Sequence, residues 1–144
     1  MKLILISMVG LWSCACADDT PIVETVLAYQ RTCGGWPKNY NRKRTLALRE
    51  REQLRKQRSR VDTTIDNGAT YTEIRLLAVA FEASEQPNYK TAVLKGVEYL
   101  LDGQLENGGW SQNFPEGRGY SREVTFNDNA MVGVMNLLKD IADK

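Results

Sequence analysis

The chain has 144 residues, 42% of them hydrophobic and 26% charged, a balance typical of one globular domain with a modest core. Nineteen basic and eighteen acidic residues leave a formal net charge of +1, and the absence of histidine excludes Ser-His-Asp chemistry and most zinc sites. No stretch after residue 17 is long and apolar enough to span a bilayer, and the regular recurrence of aromatic and branched residues argues against disorder.

The first seventeen residues have the pattern of an export signal. Lys2 gives a positive start, residues 3–12 are mostly apolar, and Ala15-Cys16-Ala17 supplies the small-x-small pattern that signal peptidase reads. We therefore expect a secreted or periplasmic protein cleaved after Ala17. The alternative is a lipoprotein, in which residues 11–14 form a loose lipobox and Cys14 carries a lipid anchor.

Cleavage would leave Cys33 as the one cysteine, and a single cysteine cannot form an internal disulfide. Since the chain has no histidine to activate a thiol, we interpret Cys33 as a buried structural residue rather than a nucleophile.

The hydrophobic periodicity predicts an all-α fold. Apolar residues recur at spacings of three and four, and no segment sustains the alternation typical of a strand. The expected helices cover residues 22–31, 45–60, 70–84, 90–101 and 129–143. The third is expected to begin with a capping box formed by Thr70 and Glu73.

One segment is strongly basic. Residues 41–60 contain nine Lys and Arg and two Glu, a local charge of +7 in a chain of net charge +1. A solvated helix face is the simpler interpretation. The alternative is a surface that faces a polyanion, because such a patch concentrates anionic ligands near the protein. Export favours an acidic polysaccharide over nucleic acid as that polyanion.

Two loops resemble each other. Gly34-Gly35-Trp36-Pro37-Lys38-Asn39 returns as Gly108-Gly109-Trp110-Ser111-Gln112-Asn113, a separation of 108 − 34 = 74 residues. Paired glycines permit a tight turn, and each tryptophan can pack one face and leave the other open. Helix pairs with the same loop at each turn are typical of a solenoid or toroid.

Two acidic residues, Asp66 and Asp128, each lie just ahead of a predicted helix. Aspartate in that position is typical of a helix cap. The alternative is an oxygen-rich calcium site, because calcium takes carboxylate and amide oxygens as ligands.

Four segments in order carry a resemblance to a known family. They are RTCGGWPKN (31–39), TTIDNGATYTEIR (63–75), NGGWSQ (107–112) and GYSREVTFNDNAMV (119–132). Together they are similar to pectate lyases of polysaccharide lyase family 10, over a region from about Val23 to the end of the chain. That resemblance implies a partial α/α toroid built from helical hairpins, with Ca²⁺-assisted β-elimination on polygalacturonate.

The resemblance also implies site residues. Asp66 and Asp128 match the acids of the family's active site and are expected to hold calcium and the substrate carboxylate. Asn67 adjoins the first of these acids. Arg122 could pair with a galacturonate carboxylate through its bidentate guanidinium or form a salt bridge within the protein. The rings of Trp36 and Trp110 could stack on sugars or pack behind the glycine turns.

Two departures qualify the resemblance. Asn129 stands where family members usually have a second aspartate, which should weaken calcium binding. No equivalent of the family's catalytic arginine is found before Lys144, so residues 18–144 are expected to be an incomplete catalytic domain. The alternative function is a non-catalytic module that binds acidic polysaccharide. Residues 104–110 also resemble a terpene cyclase repeat, but the acid-rich cluster of those enzymes is missing.

Overall fold

The computed structural model describes residues 20–143, with the backbone alone for Thr20 and Asp128. The expected export signal, its cleavage site and the lipid anchor at Cys14 lie outside the described residues. The described part contains five α-helices: α1 (Thr20–Tyr29), α2 (Leu48–Lys56), α3 (Tyr71–Ser84), α4 (Pro87–Asp102) and α5 (Ala130–Ala142). Three short 3-10 helices span Asp66–Gly68, Gly119–Arg122 and Asn127–Asn129.

The predicted all-α character is confirmed. Over residues 20–143 the only strand-like features are three isolated bridge pairs between loops. All five predicted helices are present, with ends shifted by at most four residues. In the same part of the chain, no helix has the length and apolar character needed to cross a membrane.

Helix α2 is shorter than the predicted 45–60. The carboxylate of Glu50 accepts the main-chain N–H of Ala47 at 2.9 Å, so the helix begins at Leu48. The chain turns at residues 57–59, where the N–H of Gln57 bonds back to the carbonyl of Leu54. Leu54 is the one buried residue of α2, so little tertiary packing favours a longer helix.

Helices α3 and α4 form a tight hairpin at the centre of the fold. Two residues join them, and Glu85 adopts a positive φ of 54° at the end of α3. Helices α1 and α5 both pack on α3, whereas α2 packs on α1 at the periphery. The core contains apolar side chains from every helix except α2; its fully buried members include Val26, Trp36, Ile74, Leu77, Leu100 and Val134.

The predicted capping box of α3 is wrong. The hydroxyl of Thr70 makes no cap hydrogen bond; it donates to the carbonyl of Thr64 at 2.8 Å and accepts the N–H of Trp36 at 3.1 Å. Glu73 is fully buried and bonds to side chains outside α3. The residue types of a capping box are present, but tertiary partners take both side chains.

The two Gly-Gly-Trp loops have the same hydrogen bonds. The indole N–H of Trp36 donates to the carbonyl of Val26 at 2.8 Å, and that of Trp110 donates to the carbonyl of Leu100 at 2.6 Å. Each bond reaches back ten residues into the preceding helix. The two similar Gly-Gly-Trp segments therefore belong to a structural repeat, in which α1 and α4 occupy equivalent positions.

The equivalence continues beyond each tryptophan. The N–H of Thr64 donates to the carbonyl of Trp36 at 3.1 Å, and the N–H of Thr125 donates to that of Trp110 at 3.0 Å. Each threonine precedes a 3-10 helix that leads into the next α-helix, α3 or α5. The second half of each repeat thus ends at a short 3-10 helix that carries an aspartate.

The repeats differ in what covers their glycine turns. At Gly34, with φ of 99°, a Cβ would lie 2.1 Å from the carbonyl oxygen of Lys95 in α4. At Gly108, with φ of 83°, a Cβ would meet no described atom within 4 Å. Both turns need a positive φ, but only the first is pressed against a helix.

We expect Gly34→Ala to destabilise the protein more than Gly108→Ala. Both variants bear the strain of a positive φ, about 1–2 kcal/mol, and Gly34→Ala adds a steric clash of about 1–3 kcal/mol. Urea unfolding of the two matched variants measures the difference. Equal losses of unfolding free energy would contradict the close contact between the first turn and α4.

Candidate functional site

Two short 3-10 helices lie side by side. Asp66–Gly68 and Asn127–Asn129 are in contact, although the chain between them includes the whole α3–α4 hairpin. Each turn contains an asparagine with a positive φ, Asn67 at 51° and Asn129 at 57°. The fold thus brings together the two segments in which the sequence placed its candidate acids.

The carboxylate of Asp66 is buried and paired. It forms an ion pair with Lys38, whose side chain is 39% exposed, and it is also hydrogen-bonded to Gln112. Lys38 and Gln112 occupy equivalent positions in the two repeated loops, so both repeats contribute to this carboxylate. Asp66 does not cap α3, whose N-cap is Thr70, and the capping interpretation of Asp66 is wrong.

The charge of Asp66 is stabilised by these partners. Burial alone would raise the pKa of Asp66, but the hydrogen bonds from Lys38 and Gln112 outweigh it and lower the pKa below its ordinary value of 3.8. Asp66 is therefore ionised at neutral pH, as a metal ligand or a partner of a cation must be.

The second acid is described only in part. The backbone of Asp128 lies in the 3-10 helix Asn127–Asn129, which contacts the 3-10 helix of Asp66. Its side chain is outside the described part of the structure. Asn129 is the N-cap of α5 and makes no side-chain cap bond. The role expected for Asp128 stays a prediction.

Asn67 is exposed beside Asp66, and its amide donates to the side-chain oxygen of Asn39 at 3.3 Å. Asn39 belongs to the same Gly-Gly-Trp loop as Lys38. The edge of the site next to Asp66 therefore presents one lysine and two amides, groups suited to carboxylates and hydroxyls of a ligand.

A calcium ion could draw on oxygen donors from both turns. The described residues contain no group of three His, Cys, Asp or Glu side chains that could hold a metal. The described donors are the carboxylate of Asp66 and amide oxygens such as that of Asn67. Carboxylates with amide oxygens fit calcium, but the ammonium of Lys38 competes for Asp66, so the set fits a weak site.

The sequence analysis missed a buried charge cluster behind the site. Oε1 of Glu73 accepts hydrogen bonds from Tyr40 Oη at 3.0 Å and from Arg42 Nε at 2.6 Å. Oε2 of Glu73 has no hydrogen-bond partner among the described residues. The signal in the sequence was an acid beside Ile74 on the apolar stripe of α3, where an unpaired charge is costly.

The contacts within this cluster raise the pKa values of Tyr40 and Arg42. Burial and the neighbouring carboxylate of Glu73 raise the pKa of Tyr40 far above its usual range. Burial lowers the pKa of Arg42, but the bonds to Glu73 outweigh that effect and raise it. Tyr40 also stacks on Tyr29 with ring centroids 4.0 Å apart, so the cluster fixes the loop that carries Lys38.

The two tryptophans are not available to a ligand. Trp36 is 0% exposed and Trp110 is 4% exposed, and each indole N–H is bonded to a helix carbonyl. Of the two interpretations, packing behind the glycine turns is the one the structure shows. Sugar stacking by these rings is excluded by their burial.

Arg122 is exposed at the end of the 3-10 helix Gly119–Arg122 and forms no ion pair with a described residue. It borders a hollow of about 560 Å³ together with Glu116 and Arg118. The salt-bridge interpretation of Arg122 has no support among residues 20–143, and its guanidinium faces solvent. The loop reaches the site through Asn113, which pairs with Thr64.

Cys33 differs from expectation, because it is exposed rather than buried. Its Sγ lies 3.6 Å from the hydroxyl of Thr63. A residue in a tight turn has little neighbouring chain to cover it, whereas the tryptophan of the same loop is buried.

Comparison with known proteins identifies the family. A family model described as pectic acid lyase matches residues 30–144. The chain belongs to the pectic acid lyase family. Among curated proteins, no sequence match was found.

Solved structures agree with this assignment. A family 10 polysaccharide lyase from Cellvibrio cellulosa is 33% identical and matches with a TM-score of 0.70 over 85% of this chain and 36% of that one. A mutant of the lyase from that organism, in complex with trigalacturonic acid, is 32% identical with the same TM-score and the same coverage. The chain thus spans about a third of their length. The likeness confirms the predicted fold class, a partial α/α toroid of helical hairpins.

The ion pair of Asp66 makes stability depend on pH. Because the pKa of Asp66 is lowered in the folded protein, the pair stabilises fully above its ordinary value of 3.8, and this contribution is lost as the pH falls through the folded value. We expect Asp66→Asn to cost on the order of 1 kcal/mol at about pH 6, and less at about pH 3. Urea unfolding of wild type and variant at both pH values measures the difference. A gap independent of pH would contradict the ion pair.

Removal of Arg42 should leave Glu73 buried without its cation. We expect Arg42→Ala to lower the free energy of unfolding by about 3–5 kcal/mol, and the double variant Arg42→Ala with Glu73→Gln to recover part of that loss. Thermal and chemical unfolding of both variants test this. A double variant less stable than Arg42→Ala would show that the charge of Glu73 is compensated by other groups.

Proposed function

We propose that this chain forms the acidic part of a pectate lyase site that binds polygalacturonate with calcium. The observation that carries the proposal is the contact between the two 3-10 helices, which places Asp66 beside the turn that holds Asp128. Membership of the pectic acid lyase family, and a related structure in complex with trigalacturonic acid, support a uronate polymer as the ligand.

The chemistry explains the need for these residue types. Removal of the proton next to a sugar carboxylate builds negative charge on that group, and a bound calcium would supply the positive charge that stabilises it. Asp66 and Asp128 would hold the ion, with amide oxygens such as that of Asn67 completing the ligands.

The cationic side chains would position the polymer. Lys38 is part of the site and remains 39% exposed, so its ammonium can meet a uronate carboxylate as well as Asp66. Arg122 is exposed on the neighbouring loop and offers a bidentate guanidinium. We assign no residue of this chain as the base, because the family's arginine has no equivalent among its motifs.

The location of the protein belongs to the same proposal. Export to the periplasm or the medium, or anchoring through a lipid on Cys14, rests on the pattern of residues 1–17 alone. A protein outside the cytoplasm would have access to pectin, which is an extracellular polymer.

Binding is the direct test. We expect the purified chain to bind trigalacturonic acid in the presence of calcium and to lose at least about tenfold in affinity on Asp66→Ala, since a charged hydrogen-bonding group is removed. Isothermal titration calorimetry with and without a chelator measures this. Asp102→Ala is the control, because Asp102 is exposed and makes no ion pair with a described residue. A folded wild-type chain that does not bind trigalacturonic acid in the presence of calcium would contradict the proposal.

Turnover is a separate question. The unsaturated uronate made by β-elimination absorbs in the near ultraviolet, so incubation with polygalacturonate reports the reaction continuously. Without an assigned base, we expect binding without product from this chain alone. Product that disappears with chelator and with Asp66→Ala would show that a residue of this chain serves as the base.

A further inference from the structure

Exposed cations that the site does not use lie on α2 and on the residues at either end of it, and together they form the basic surface of α2. Five basic residues of segment 41–60 are exposed and form no ion pair with any described residue; they are Lys43, Arg49, Lys56, Arg58 and Arg60. Arg49 and Lys56 are two helical turns apart and project from the same side of α2.

No acid of the neighbourhood balances these charges. Glu50 and Glu52 pair with Arg44 and Arg55, and Glu24 pairs with Arg51. Asp62, beyond the end of α2, pairs with the buried Arg31. The acids of this surface are thus already matched by other arginines. The five remaining charges produce a positive field toward solvent, which draws anionic ligands.

A groove borders this surface at Arg60 and the site at Lys38. The groove has a volume of about 320 Å³ and lies between α2 and the first Gly-Gly-Trp loop. Gln53, Gln57 and Arg60 border it on the side of α2, together with Glu50, which is paired with Arg44. Lys38 borders it on the side of the loop. Lys38 is the partner of Asp66, so the groove begins at the site itself.

We propose that the basic surface of α2 and this groove bind a continuation of the acidic polysaccharide chain that occupies the Asp66 site. The identity of the ligand rests on the proposed function; the surface rests on charge and on the position of Lys38. Cations would meet successive carboxylates, and the amides of Gln53 and Gln57 can bond to hydroxyls.

The charge also argues against another protein segment as the occupant. The related lyases are longer than this chain, and a further segment could cover an apolar face. Burial of five unpaired cations under protein would be costly unless each met an acid. A polymer with one carboxylate on each sugar supplies those acids and leaves the surface hydrated.

The test compares two variants that lose the same charge. One carries Arg49→Gln, Lys56→Gln and Arg60→Gln, and the control carries Lys90→Gln, Lys95→Gln and Lys139→Gln, three exposed lysines on other helices. Binding of each purified chain to long polygalacturonate, to trigalacturonic acid and to poly-L-glutamate is measured across a range of salt concentrations.

We expect the α2 variant to lose about tenfold in affinity for the long polymer at low salt, roughly twofold for each screened surface charge, with a flatter salt dependence. Its affinity for trigalacturonic acid should be that of wild type, and the control variant should bind the polymer normally. Poly-L-glutamate should bind more weakly than polygalacturonate, because it has no sugar hydroxyls.

Equal affinity of the two triple variants for long polygalacturonate would overturn the inference, and so would equal wild-type affinity for poly-L-glutamate and polygalacturonate. A wild-type chain that binds the polymer through α2 but does not bind trigalacturonic acid would contradict the proposed function and leave the α2 surface standing.

Discussion

The hydrogen bond from each tryptophan to the helix before it is the constraint on which the site depends. Trp36 and Trp110 hold their loops against α1 and α4 through the indole, and their carbonyls fix Thr64 and Thr125. Each threonine leads directly into an aspartate-bearing 3-10 helix. The same bonds occur twice, and the two turns that follow them are in contact, although residues 69–126 separate them along the chain.

The charged residues around the two Gly-Gly-Trp loops differ in how deeply they are buried. Glu73 is fully buried and Arg42 is partly exposed, the buried Asp66 pairs with the partly exposed Lys38, and the unpaired cations of segment 41–60 face solvent. Tyr40 and Arg42 both bond to Glu73 of α3, so these bonds attach their loop to that helix. The loop that carries Lys38 is therefore held on one side by Tyr40 and Arg42 and on the other by Trp36.

Much of the fold could be predicted from periodicity and from one short echo in the sequence. The five helices follow from apolar spacing, and the Gly-Gly-Trp loops indicated a repeat that the hydrogen bonds confirm. The contacts of Asp66 were harder to predict from the sequence. Lys38 stood inside a quoted motif, yet its pairing with an acid 28 residues away depends on how two loops fold together. Glu73 was misread because a local cap and a buried ion pair require the same residue type.

The expectation that Cys33 is buried was wrong for a physical reason. Cys33 lies three residues from Trp36, but the turn directs one side chain outward and the other into the core. Composition predicts how much of a chain is buried, whereas the direction of each side chain in a tight turn depends on backbone angles that the sequence does not state.

The turn at Gly108, which no described residue covers, bears on how a protein made of these repeats can become longer. In the first repeat, the matching turn receives the next helix, and Gln30 bridges the two by donating to Gly34 and Ala92. Gln104 already makes the first of those bonds to Gly108. The turn at Gly108 already has the geometry that packs on a helix in the first repeat. A further copy of the repeat could therefore pack there through the same kind of contact, and duplication could lengthen the protein without a new type of interface.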